Sequence, residues 1–167
     1  MTVLPGPLAD TTASGYHLAM RLGFTETLSA ALLHADEQAR RHGQDFVGTE
    51  HLLLGILTGK AGEAFKALQA ETDIEQLLPN LTRALPKSAA PVLVTGRLPL
   101  SPKAQRVVNA ATSEAQAAAQ TAVSTRFLLL ALLEDAESTL GQIIADSGAD
   151  LDELRGLLSR PNGSQEL

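Results

Sequence analysis

The chain has 167 residues, no cysteine, and 13 Lys and Arg against 19 Asp and Glu, for a formal net charge of −6. That length fits one domain of ordinary size, which buries roughly 68–70% of the surface its unfolded chain exposes. Without cysteine there are no disulfides, thiolate metal sites or cysteine nucleophiles, a composition that fits a reducing cytoplasm; with scattered basic residues and an acidic balance, no nucleic-acid partner is expected.

Residues 1–23 read as a tail. Pro5 and Pro7 break any early helix, and neither a basic n-region nor a continuous apolar stretch of a secretion signal is present. No apolar run reaches the roughly 18 residues of a membrane span, so no membrane partner is expected. From Thr25 the period becomes helical: Leu28, Leu32, Ala35 and Ala39 share one face, Thr25 is placed to cap the helix and Gly43 to stop it. A second helix opens at Thr49 and carries LLLGIL to about Thr58, apolar on nearly every side and therefore buried. Gly62 starts a third through Phe65 and Leu68. Asp73 starts a fourth, with D-I-E-Q in the capping-box arrangement, and Pro86 ends it.

Residues 86–99, PKSAAPVLVTGRLP, read as a linker. The pattern then restarts. Ser101-Pro102 is a cap followed by proline at the first helical position, and Val107, Val108, Ala111, Ala115 and Ala118 form the apolar stripe. Thr125 repeats Thr49, Ser138 repeats Gly62, and D-L-D-E at 150–153 repeats D-I-E-Q. At an offset of 76 residues Ala35 meets Ala111, Val47 meets Val123, and Leu52, Leu53, Leu54 and Leu57 meet Leu128, Leu129, Leu130 and Leu133. Caps and breakers fall in the same register as leucines, which points to duplication. The expected architecture is all-α, a tandem duplication of a four-helix motif with pseudo-twofold symmetry and about eight helices: repeat 1 at 24–85, repeat 2 at 100–160, and a C-terminal tail at 161–167.

GTEHLLLGIL at 48–57, preceded by FTETLSAALLHADEQARRHGQDFV at 24–47, closely resembles the repeat of the Clp N-terminal domain, the accessory domain at the front of Clp-type AAA+ unfoldases. The resemblance covers residue 24 to about 159 and implies the same doubled four-helix fold. No G-x-x-x-x-G-K-[ST] phosphate loop occurs, so the chain lacks the motor and no cofactor is expected. The ends read as those of a complete, free-standing small protein.

Thr49 and Glu50 are accounted for by capping alone, a hydroxyl on an orphan amide and a carboxylate at the positive end of the helix, together worth about 1–2 kcal/mol. The resemblance implies more. In the family the acid of the first G-T-E-H lies beside the threonine of F-T-E and receives the guanidinium of phosphorylated arginine, which carries over to Glu50, Thr49, Thr25 and Glu26. Bidentate pairing of acid with guanidinium, with amides and hydroxyls on phosphate, makes that chemistry coherent. The second copy departs from the pattern: Arg126 and Phe127 replace Glu and His, with Ser101, Pro102 and Lys103 at the first-helix positions. A cation there repels guanidinium, so the second site is expected to be lost for phosphoarginine, with Arg126 left for an anion or a partner's carboxylate.

His51 reads as a hydrogen-bonded structural histidine. His34 and His42 lack the carboxylates of a metal site, and no nucleophile elbow is present, so neither metal binding nor catalysis is expected. The resemblance implies a cytoplasmic, monomeric accessory or adaptor-like protein of the Clp proteolytic system, binding substrate peptides, adaptors, or Clp ATPase and protease components. An alternative is a decoy that sequesters peptide antibiotics directed at such domains, weakened by Leu100 at an often aromatic position. A third is a small-molecule sensor with residues 1–23 as its arm.

Overall fold

The computed structural model describes residues 22–86, 92–134 and 138–159; most of the expected N-terminal tail, the start of the linker and the C-terminal tail lie outside them. Eight helices occur among these residues: α1 (Glu26–Arg41), α2 (Thr49–Gly59), α3 (Gly62–Glu71), α4 (Ile74–Ala84), α5 (Pro102–Ala117), α6 (Thr125–Leu132), α7 (Thr139–Asp146) and α8 (Leu151–Ser159). Four fall in each repeat.

The ends are set largely where the sequence places them. Thr25 Oγ1 accepts the Leu28 N–H at 3.1 Å, Ser101 Oγ accepts that of Ala104 at 3.1 Å, and Ser138 Oγ accepts that of Gly141 at 3.2 Å. Pro102 occupies the first turn of α5, where a missing N–H costs nothing. Gly43, with φ 74°, takes the left-handed turn that follows α1.

Two caps differ from expectation. Gly48, not Thr49, is the N-cap of α2, and Ser124 is that of α6. The threonines are thereby the first helical residues, and Thr125 Oγ1 instead accepts the Ala64 N–H of α3, in the other repeat, at 3.3 Å. At Asp73 the carboxylate accepts the Glu75 N–H at 3.0 Å, so the side chain reaches the second position of α4 and not the third.

The core is built on α2 and α6. Along α2, Thr49 and every residue from His51 to Leu57 are buried, because α1 covers one side and α4, α5 and α6 approach from others. Gly55 permits the closest of these contacts: a Cβ there would lie 2.1 Å from the Ala31 carbonyl oxygen and 2.9 Å from the Ala35 nitrogen. The matching residue in α6 is Ala131, whose methyl group forbids an equally close approach by α5. The repeats are also interlocked, with α3 packing on α6 and α8, and α4 on α7.

Two isolated parallel bridges cross-link the halves, Phe24 with Val123 and Val47 with Leu100. Thr25 donates to the Val123 carbonyl at 3.0 Å and Val123 to that of Gly23 at 2.8 Å; Val47 donates to Pro99 at 2.8 Å and Ser101 to Val47 at 2.8 Å. Adding 76 to one set of residues gives the other with the strands exchanged, which is what a pseudo-twofold relation requires. The linker, meanwhile, is bound to α1. Asp36, only 7% exposed, accepts the Leu98 N–H at 2.8 Å and the Arg40 Nε–H at 2.7 Å, and Arg40 donates onward to the carbonyls of Val94 and Gly96. A carboxylate and a guanidinium thus satisfy backbone groups that no regular element would.

Candidate functional site

The crossed bridges decide which functional residues meet. Because the loop before α2 is bridged to the start of repeat 2, Glu50 faces α5 and not α1. Thr49, Glu50, Lys103, Val107 and the first residues of α7 line one cleft of about 120 Å³. Thr25 and Glu26, expected beside Glu50, lie elsewhere: Thr25 is tied to Val123, and Glu26 lines a separate, shallow cleft with Thr27, Ala31 and Ile56. The grouping inferred from the resemblance is therefore corrected. Lys103, assigned to the second site, shares the cleft of Glu50, and Ser101, tied to Val47, caps the helix that carries it. Adjacent positions in one repeat were read as neighbours, whereas the cleft of Glu50 is assembled from both repeats.

The electrostatics follow from the helices. Three of them begin at this cleft: Glu50 is in the first turn of α2, Lys103 in the first turn of α5, and Ser138 caps α7 ahead of Thr139. Their positive dipole ends and the Lys103 ammonium favour an anion, against the carboxylates of Glu50 and Glu134 in the same lining. Neither Glu50 nor Lys103 has a hydrogen-bond or ion-pair partner among the described residues, so a half-buried carboxylate and an ammonium both remain available.

At the position pseudo-equivalent to Glu50 the chain carries a cation that is engaged internally. The Arg126 guanidinium pairs with Glu63 at 3.2 Å, donates to the Leu158 carbonyl at 2.9 Å, and lies 4.3 Å over the Phe127 ring. Its charge is spent within the chain, joining α6 to α3 and α8, and not on an external anion.

His51 is wholly buried, and its Nδ1 accepts the Gly48 N–H at 2.8 Å, the part a Glu or Gln plays three residues into a capping box. Burial, with a smaller push from the charge of His42, lowers its pKa from 6.5 to about 4. It is a neutral structural group below Glu50, with Nε2 buried and unpaired. No group of three metal-ligating side chains occurs among the described residues, nor any helix long and apolar enough to cross a membrane.

The family model described as Clp repeat (R) N-terminal domain matches residues 23–147 and 99–166. The chain belongs to this family. Similar proteins include an ATP-dependent Clp protease ATP-binding subunit ClpA homolog of Cyanidium caldarium, 31% identical over 84% of this chain and 16% of that protein. The chloroplastic chaperone protein ClpC1 of Oryza sativa is 30% identical over 87% of this chain and 16% of its own length. The chain thus spans about one sixth of the curated relatives it matches. Among solved structures, the Hsp104 N-terminal domain of Candida albicans superimposes with a TM-score of 0.71 over 86% of this chain and 93% of that one, at 20% identity. The ClpV N-domain of Vibrio cholerae gives 0.69 over 95% of both at 16% identity. At those identities the likeness concerns the fold, the doubled all-α Clp N-domain.

Proposed function

We propose that this Clp N-domain is a non-catalytic capture module of the Clp proteolytic machinery, whose Glu50 cleft takes a phosphorylated arginine on a substrate or adaptor segment. One observation carries the reading: a carboxylate and an ammonium without partners among the described residues line the same cleft, where three helices begin. Glu50 suits the guanidinium, while Lys103, the helix N-termini and the hydroxyls of Ser138 and Thr139 suit the phosphoryl group. Glu26 has no part in this contact; it lines the separate cleft with Thr27, Ala31 and Ile56.

Calorimetric titration with a phosphoarginine peptide and its unmodified arginine counterpart tests this. Charge-assisted hydrogen bonds are worth about 1.5–3 kcal/mol, so Glu50→Gln weakens the phosphopeptide by roughly tenfold or more. Lys103→Ala does the same for the phosphopeptide but leaves the unmodified one unchanged. Equal affinity of wild type and both variants, or no binding by wild type, refutes the reading.

A further inference from the structure

Glu50 follows an N-cap that has no side chain. Gly48 is buried, with φ −96° and ψ 180°, an extended backbone that any residue adopts, so conformation gives no reason for a glycine there. Space gives one. A Cβ on residue 48 would lie 3.1 Å from Glu50 Oε1, closer than atoms ordinarily pack, whereas its next neighbours, His51 Nδ1 at 3.6 Å and the Phe46 ring at 3.7 Å, would be at ordinary contact. The missing side chain therefore makes room for one group, the carboxylate that lines the cleft.

The cap also leaves that carboxylate unbound. In a capping box the acid or amide at the third helical position takes the N-cap N–H. Here His51 holds that position, and its Nδ1 accepts the Gly48 N–H at 2.8 Å. Glu50, one residue earlier, lies back over the cap yet is spared from it, and it has no partner among the described residues. The N-cap 76 positions on is Ser124, which carries a Cβ. The side chain two residues beyond it, Arg126, is drawn to Glu63 at 3.2 Å.

We infer that Gly48 is a positioning residue for the cleft: its lack of a side chain lets the Glu50 carboxylate rest against the start of α2, unpaired and ready for an incoming guanidinium. This rests on the Glu50 cleft taking phosphoarginine, and the test separates the two. A methyl at residue 48 pushes Oε1 outward. A serine adds a hydroxyl that donates to the carboxylate, a bond the ligand must then displace.

Fluorescence anisotropy with a phosphoarginine peptide compares wild type, Gly48→Ser, Gly48→Ala, Glu50→Gln and the Gly48→Ser, Glu50→Gln double variant. Gly48→Ser weakens binding about fivefold, the worth of one ordinary hydrogen bond, and Gly48→Ala, which brings bulk without a donor, weakens it less. Serine is at least as good an N-cap as glycine, so the melting midpoint of Gly48→Ser stays within about 2 °C of wild type. In the Glu50→Gln chain the serine penalty falls to about twofold, because a neutral amide forms bonds roughly half as strong as those of a carboxylate. A purely structural role for Gly48 would instead lower the midpoint and give the same penalty in both chains. Wild-type affinity in either Gly48 variant, an undiminished penalty in the Glu50→Gln chain, or a Gly48→Ser protein that melts well below wild type overturns the role of Gly48 and leaves the reading of the cleft standing. If wild type does not bind the peptide, both fall together.

Discussion

Acidification should weaken this protein through one residue, His51. Its Nδ1 already accepts the Gly48 N–H, so a second proton would have to enter where a donor points, on a ring with no exposed surface. The folded pKa of about 4 lies below the ordinary 6.5, and between those values the unfolded chain binds more protons than the folded one. Stability is thus complete above pH 6.5 and is lost as pH falls through 6.5 toward 4. The full loss is about 3 kcal/mol, of which about 2 kcal/mol is gone by pH 5. Urea unfolding at about pH 7.5 and about pH 5 measures it, with His51→Gln as comparison. Glutamine fits the same capping position and accepts the Gly48 N–H without titrating, and every other residue is the same in the two proteins. Wild type should lose about 2 kcal/mol more than the variant over that interval. Equal pH slopes would remove His51 as the responsible group.

Two further perturbations address the packing of the halves. Gly55→Ala places a methyl 2.1 Å from the Ala31 carbonyl oxygen, so α1 and α2 must separate; the cost, about 2 kcal/mol after the helix-propensity gain, appears as a lower urea midpoint. Arg126→Ala removes the counter-charge of Glu63 and the donor to the Leu158 carbonyl at the interface between repeats. It should destabilise by about 2 kcal/mol, and Glu63→Gln in the same chain should restore part of that, since an amide tolerates burial without a counter-charge.

The sequence carried the eight helices, the caps at Thr25, Ser101 and Ser138 and the duplication because these are local: period, hydroxyls and glycines act within a few residues of themselves. It also carried the depth of α2, since a helix apolar on all sides has nowhere to go but the core. What it could not carry was the exchange of partners. Glu50 and Thr25 belong to one repeat and are joined in the family pattern, yet the parallel bridges at Val47 and Phe24 send each to the opposite half. A side-chain pattern says which face is buried, not which of two equivalent neighbours buries it. Lys103 was visible as a departure from the pattern but was credited to the wrong cleft, and the clamp of Asp36 on Leu98 left no local signal at all.

The exchange changes how the divergence of repeat 2 is understood. Read within a repeat, Arg126 is the loss of an acid and Lys103 an unrelated change nearby. Across the interface they act with opposite results. Arg126 pairs with Glu63 inside the chain, whereas Lys103 lines the cleft of Glu50 and gives it a cation beside its acid. Substitutions in repeat 2 have thus made the two pseudo-equivalent positions unlike, one carrying a cation engaged inside the chain and the other an acid and an ammonium that line one cleft, where duplication alone would have left two alike.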